Sequence, residues 1–479
     1  MVTRRTLLTG LAAGALTGFL PQRLGQAAAA TDPRAPIQPL ALTPRVSPRT
    51  LLGPGTQAQD LYLFNDTIFP IVRARRGTRL KVAVDNRLPV GTTVHWHGIR
   101  LPNPQDGVPG LTQELIPANG GQFTYEVPLP DAGTYFFHPH CDETGQVGRG
   151  LAGVLIVEEE EKLPFQAEHI LVIKDWRLAP DGSFLPFLTE EGASKAGTFG
   201  TVRGVNGVGP ARLSATAHAD LRLRILNLDS TRTVQVGTGE AEGYIIAYDG
   251  HAVPPVDFDT CDLGSSQRLD LHVRMPAEGQ SVSIYDYRTG GEPFLLARIE
   301  ATASNFRKRP FKPIALPAPN VPKADLRKAE RLTLSLQQAT DDAANVLDGL
   351  PPDDPLAKAL VDQYCTGPRT FWAISQNSWP TGGTKPMPAP LARLVAGRSY
   401  VITLANPTQH LHPVHMHGHV FDVISASKSK RPRHYADTVL LAARESAEIA
   451  FVAAPGNWVL HCHILDHMET GMMGYVSIA

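Results

Sequence analysis

Net charge, cysteine and aromatic side chains are all scarce in this chain, and each shortage narrows what it can be. Lysine and arginine total 45 against 46 acidic residues, a formal net charge of -1 over 479 residues. With no basic stripe and no block of like charge, the sequence offers no electrostatic footprint for nucleic acid and no charged interaction tail. Four cysteines, Cys141, Cys261, Cys365 and Cys462, are too few for a disulfide-built scaffold. No apolar run reaches the roughly 20 residues of a membrane-spanning helix. Aromatic residues make up 7%, while 41 Pro and 42 Gly interrupt the chain and no long amphipathic helical pattern occurs. That combination excludes a helical bundle and reads as a turn-rich, mostly β protein with room for two to four domains.

The first thirty residues differ in kind from the rest. Arg4 and Arg5 precede a mild apolar run from Leu11 to Leu20, and the small residues Ala27 to Ala30 follow. These are the three regions of an export signal, with the paired arginines of the twin-arginine route. We expect residues 1–30 to be removed by that machinery, leaving a periplasmic or secreted protein without a membrane anchor.

What the chain has is an internal repeat. Residues 77–86 and 397–406 both alternate polar and apolar side chains between a Gly and an Asn. At the same distance past Asn86 and Asn406 come His95-Trp96-His97-Gly98 and His415-Met416-His417-Gly418. Further on, residues 132–140, ending His138-Pro139-His140, align with residues 455–463, ending His461-Cys462-His463. A third, degenerate copy lies between them: residues 221–227 match the first strand and 279–287 the later one, with Ile284 and Asp286 at the histidine positions. Repetition on this scale implies duplicated folds. We place the domains at 45–160, 165–305 and 325–479, joined by proline-rich linkers, and read the middle one as a spacer.

In a strand, His-x-His projects both imidazoles from one face about 7 Å apart. Four such pairs converging between the end domains would give eight imidazoles, a set suited to three metal ions. Cys462 points the other way from its neighbours, and with His412, His467 and a weak axial Met472 it forms the ligand set of a blue copper centre. Zinc more often shows closely paired cysteines. His410 and His419 are read as supporting or solvated residues. With Cys462 on a metal, at most one disulfide forms among Cys141, Cys261 and Cys365, and the pairing is open.

These four motifs, with the stretch from His412 to Gly418 and from His461 to Met472, resemble those of the multicopper oxidases, in particular three-domain bacterial laccase-like enzymes. The resemblance spans the mature chain. It implies an all-β protein of three cupredoxin-like Greek-key domains holding four copper ions. The type 1 copper would take His412, Cys462, His467 and Met472; the type 2 copper His95 and His415. One type 3 copper would take His97, His138 and His463, the other His140, His417 and His461. A small phenolic or aromatic reductant would give single electrons at the first site, and dioxygen would be reduced to water at the cluster. Asp106 resembles the family's acidic residue for proton relay; a turn-forming Asp before Gly is the structural alternative. Some bacterial relatives carry a Glu six residues past the cysteine where this chain has Met468, so Glu469, Glu143 and Asp142 stay unassigned. Two other roles compete: an oxidase of Cu(I), Fe(II) or Mn(II), and a cell-envelope scaffold or copper-sequestering protein. The filled ligand positions speak against the scaffold, and the seven methionines form no Met-rich insertion. Residues 352–357 and 431–437 are expected to border the donor site.

Overall fold

In the computed structural model, residues 34–339, 370–379 and 388–479 are described. The export segment, Cys365 and residues 352–357 lie outside them. The chain is almost entirely strand, and one topology occurs three times. In each copy a parallel pair, 37–42 with 79–84, 167–173 with 221–227 and 330–335 with 400–405, is extended by an antiparallel strand. Those third strands are Gly121–Pro128, Arg268–Arg274 and Glu445–Val452. A second sheet closes over each: one carries Gly133–His138, one Ser281–Asp286, and one Gly456–Cys462. This is the cupredoxin arrangement, and it accounts for the sequence repeat.

The repeat is anchored by its asparagines. Asn86, Asn227 and Asn406 are buried at the ends of equivalent strands. Each accepts through its Oδ1 from the amide of the residue two further on, at 3.0, 3.2 and 3.0 Å. Each Nδ2 donates to carbonyls of the following turn, among them Val90, Arg232 and His410. A buried amide with every group paired fixes where the strand ends and how the next segment leaves it. In the first and last copies that segment is the histidine motif.

Three apolar cores fill the repeats, centred on Trp96 and Tyr125, on Leu223 and Leu271, and on Trp458 and Ile402. Alternation explains the strand Arg79–Asn86, where Leu80, Val82 and Val84 face inward and Lys81 and Ala83 face solvent. It does not explain Asp220–Asn227, which is buried along its whole length. Arg222 and Arg224, on the polar face, are covered by the first repeat and pair with Asp270, Glu159 and Glu168. A further apolar cluster, Leu61, Leu63, Phe136 and Ile156 with Trp176 and Leu226, joins the first and middle repeats. Val108 with Trp379, Val459 and Met473 joins the first to the last.

His251 sits at the first of these joints, buried with both ring nitrogens unpartnered. Burial pushes its pKa from 6.5 down to about 4, outweighing the nearby Asp131 and Asp437. Below pH 6.5 the unfolded chain binds a proton that the folded chain refuses until about pH 4, so stability falls with pH across that window. The loss is on the order of 3 kcal/mol. His251→Phe is expected to lose less stability than wild type between pH 6.5 and 4, read from denaturant midpoints; identical pH profiles would remove His251 as the cause.

Candidate metal centre

All four His-x-His pairs meet between the first and last repeats. His95–His97 forms its own short strand, paired to Gly133–His138 with His95 opposite His138. His412–Met416 pairs with Gly456–Cys462, His415 opposite His461. His140 and His463 lie just past their strand ends, because the chain leaves the sheet after His138 and Cys462 into the short helices Glu143–Gly148 and Leu465–Glu469. The second helix brings His467 back toward Cys462.

Across the junction the rings of His95 and His417 stack at 3.8 Å and those of His97 and His415 at 3.7 Å. The donor atoms of His95, His97 and His138 lie within 4.8 Å of one another, as do those of His95, His415 and His417 and of His140, His417 and His461. His412, Cys462 and His467 form a separate group of the same compactness. There the Cys462 Sγ lies 3.5 Å from His412 Nδ1 and 3.7 Å from His467 Nδ1. Met472 is buried in the same core, its backbone bonded to Cys462 and to His467.

A consistent hydrogen-bond pattern runs through the set. His95, His138, His415 and His461 each donate from Nδ1 to a backbone carbonyl, those of Asp106, Pro139, Asp437 and Cys462, at 2.8, 2.8, 2.8 and 2.9 Å. His417 Nδ1 donates to the Asp106 carboxylate at 2.9 Å, and His463 Nδ1 reaches Ser265 Oγ at 3.2 Å. The inward Nε2 atoms of His95, His138, His140, His415 and His463 have no partner although buried, and those of His417 and His461 face each other at 3.2 Å. His97 is reversed: Nε2 donates to Asp437 Oδ1 at 3.0 Å and Nδ1 is the free atom.

Buried nitrogens left without partners are costly unless something fills the space between them. Outer N–H groups held by carbonyls and carboxylates, with inner lone pairs converging, is how imidazoles are arranged around a metal. Burial also lowers the pKa of seven of these eight imidazoles, His140 to about 3, and favours the neutral, ligand-competent form. At the other site His412 and His467 are lowered in the same way. Burial pushes the Cys462 thiol up, so a cation is needed to hold it as thiolate. The residues present fit copper at both places.

Asp106 is fully buried and serves His95 through its carbonyl and His417 through Oδ2, while its Oδ1 lies 3.3 Å from His95 Nδ1. Glu143 sets its carboxylate 3.5 Å from both His138 Nδ1 and His140 Nδ1, and burial followed by the neighbouring Glu469 raises its pKa strongly. Glu469 turns away from the imidazoles: its oxygens accept from the Thr144 amide at 2.9 Å and hydroxyl at 2.6 Å. Of the two tempting histidines, His419 is tied to the His417 carbonyl and the Ala454 amide. His410 packs edge-on against Trp372, which also covers His412 and His467.

Three residues at this site escaped sequence reasoning. Asp437 holds His97 by its carboxylate and His415 by its carbonyl, and the middle repeat supplies Ser265 and Arg268. The middle repeat is therefore no mere spacer. The one sequence signal was Gly98, whose φ is +84: a Cβ there would overlap the Asp437 carboxylate and the Arg268 guanidinium. Cys141 is disulfide-bonded, whereas Cys261 and Cys462 are free thiols. Residues 431–434 line a cavity of about 650 Å3 that reaches Leu411, beside His412.

Comparison with known proteins agrees with this geometry. Family models described as multicopper oxidase match residues 46–162 and 355–479. The multicopper oxidase MmcO of Mycobacterium tuberculosis is 27% identical, over 90% of this chain and 85% of its own. A laccase of Cryphonectria parasitica is 26% identical, over 88% and 79%. The crystal structure of a multi-copper oxidase from Pseudomonas thermotolerans superposes with a TM-score of 0.82 at 32% identity, covering 93% of this chain and all of that one. With two matched family models, a relative of that identity over its full length and a donor set fitted to copper, this chain belongs to the multicopper oxidase family, whose members are copper-dependent oxidoreductases.

Proposed function

We propose that the protein is a laccase-like oxidase of exported type, coupling one-electron oxidation of a small phenolic or aromatic donor to reduction of dioxygen to water. His412, Cys462, His467 and Met472 would hold a type 1 copper. His95 and His415 would hold the type 2 copper; His97, His138 and His463 one type 3 copper; His140, His417 and His461 the other. Copper so bound supplies one-electron acceptance at the first site and four-electron reduction of dioxygen at the second.

The chain's own contribution follows from placement. Cys462 lies in one peptide run with His461 and His463, so main-chain bonds to its two neighbours connect the two ligand sets; this is the observation that carries the proposal. Asp106, against His95 and His417, is placed to hold and pass a proton to the cluster. Four protons and four electrons are needed for each dioxygen, so an acid at that position serves every turnover. Three domains near 45–160, 165–305 and 325–479, and an export signal over 1–30, complete the reading, with the periplasm or exterior as its destination. No helix among the described residues is long and apolar enough to cross a membrane.

One observation favours a metal ion as electron donor instead. The segment covering the first site, where Lys195 O accepts from His467 Nε2 at 2.9 Å and Ala193 O from Trp372 Nε1 at 2.6 Å, begins with the exposed Glu190 and Glu191. Carboxylates beside the inlet would attract a cationic donor. Oxygen uptake by copper-loaded protein decides between them: 2,6-dimethoxyphenol is expected to drive uptake faster than Cu(I), Fe(II) or Mn(II). A faster rate with a metal ion reverses the choice, and no uptake with any donor ends the oxidase proposal.

A further inference from the structure

We infer that residues 264–268 of the middle repeat are a positioning element for the cluster imidazoles, with Arg268 acting through Asp437 and Ser265 acting on His463. The inference rests on the ligand assignment proposed above.

Arg268 begins the strand Arg268–Arg274 and is fully buried. A guanidinium has five N–H donors in a rigid fork, and all five are used. Nε donates to Thr134 O at 3.1 Å; Nη1 to Ser266 O at 3.1 Å and Asp437 Oδ1 at 2.8 Å; Nη2 to Asp249 O at 3.0 Å and Asp437 Oδ2 at 2.5 Å. The acceptors come from all three repeats. A charge this deep persists only when it is paired and saturated with hydrogen bonds, and here its partner is Asp437, whose carboxylate bonds His97 and whose carbonyl bonds His415.

The Arg268 guanidinium forks onto both carboxylate oxygens of Asp437, and that pairing is what lets a carboxylate sit so deep. Oδ1 then accepts from His97 Nε2, which turns Nδ1 toward the cluster, the reverse of the other imidazoles. The Asp437 carbonyl accepts from His415 Nδ1, which turns Nε2 inward. One residue thus sets opposite faces of two stacked rings. The neighbouring side chains brace it: Thr438 N donates to Asp249 Oδ2 at 3.2 Å, and Gln267 Nε2 to Thr438 O at 3.0 Å.

Ser265 takes a third imidazole from the same loop. Its hydroxyl donates to the Asp229 carbonyl, which leaves its oxygen to accept from His463 Nδ1 at 3.2 Å. A repeat that carries no histidine pair therefore orients His97, His415 and His463.

The test compares wild type with Arg268→Lys, Asp437→Asn and Ser265→Ala after copper loading. It reads copper retained per chain against a chelator, the electron paramagnetic resonance spectrum of type 2 copper, and the visible absorption of the Cys462 site. Lysine cannot form the two-pronged contact, and asparagine cannot hold the guanidinium's charge. Both variants are expected to hold cluster copper about 10- to 100-fold more weakly and to show altered type 2 hyperfine splitting, with the Cys462 absorption unchanged. Ser265→Ala is expected to leave the type 2 spectrum alone and weaken retention of copper at the paired site. Arg268→Lys and Asp437→Asn with wild-type retention and spectrum would overturn the inference. So would equal loss of both sites, which marks a general folding role. A wild-type chain that takes up only the Cys462 copper would instead overturn the ligand assignment.

Discussion

Cys462→Ser is expected to abolish the intense visible absorption and bring donor oxidation to background, while copper content falls by one ion per chain. The thiolate is the anionic sulfur ligand facing His412 and His467, and a hydroxyl at that position neither ionises nor offers the thiolate sulfur that a blue centre requires. The cluster is expected to survive because the substitution leaves its supports in place. His461 Nδ1 donates to the carbonyl of residue 462, and the amide of 462 to Met472 O, both main-chain contacts that serine retains. Chelator-resistant copper and the type 2 resonance are the measurements. Retained turnover in the serine variant would refute the connection through this strand, and loss of all copper would show that Cys462 shapes both sites.

Asp106→Asn is expected to lower turnover by about 10²- to 10⁴-fold with cluster copper retained. Asparagine preserves the shape, and its carbonyl can still accept from His417 Nδ1, but it cannot take up and release a proton. Asp106→Ala removes the buttress as well, so copper affinity falls by a further 10- to 100-fold or so. The contrast separates two roles that the geometry superimposes on one carboxylate. Asparagine and wild type turning over alike would leave Asp106 as a support for His417 and His95, with Glu143, 3.5 Å from His138 and His140, as the next acid to replace.

Much of the site is legible in the sequence because its ligands come in local pairs. A His-x-His separation is carried by strand periodicity, and the repeated Asn places each pair at the same distance beyond a strand. Where the chain leaves the sheet, residues 465–469 turn into a helix that aims Glu469 at Thr144 and not at an imidazole, in line with its being left unassigned. Groups that support the imidazoles from far along the chain were not legible. Asp437 touches His97 across 340 positions, and Ser265 touches His463 across 198. Neither lies in a motif, since a single hydrogen bond needs only one residue of the right kind, and nothing nearby must match it.

By itself the sequence determined the strand class, the threefold repetition and a set of side chains suited to copper. These follow from periodicity of two, from turn residues and from the softness of one thiolate among imidazoles, all properties of neighbours in the chain. Only the tertiary structure decided which nitrogen each histidine presents, and that the middle repeat takes part. Arg222, Arg224 and Arg268 alternate with apolar residues as a solvent-facing edge would, yet packing against the other repeats buries them. Once water is excluded, each guanidinium must find carboxylates and carbonyls within the protein. For Arg268 the carboxylate gripped by both Nη atoms is that of Asp437, which bonds His97.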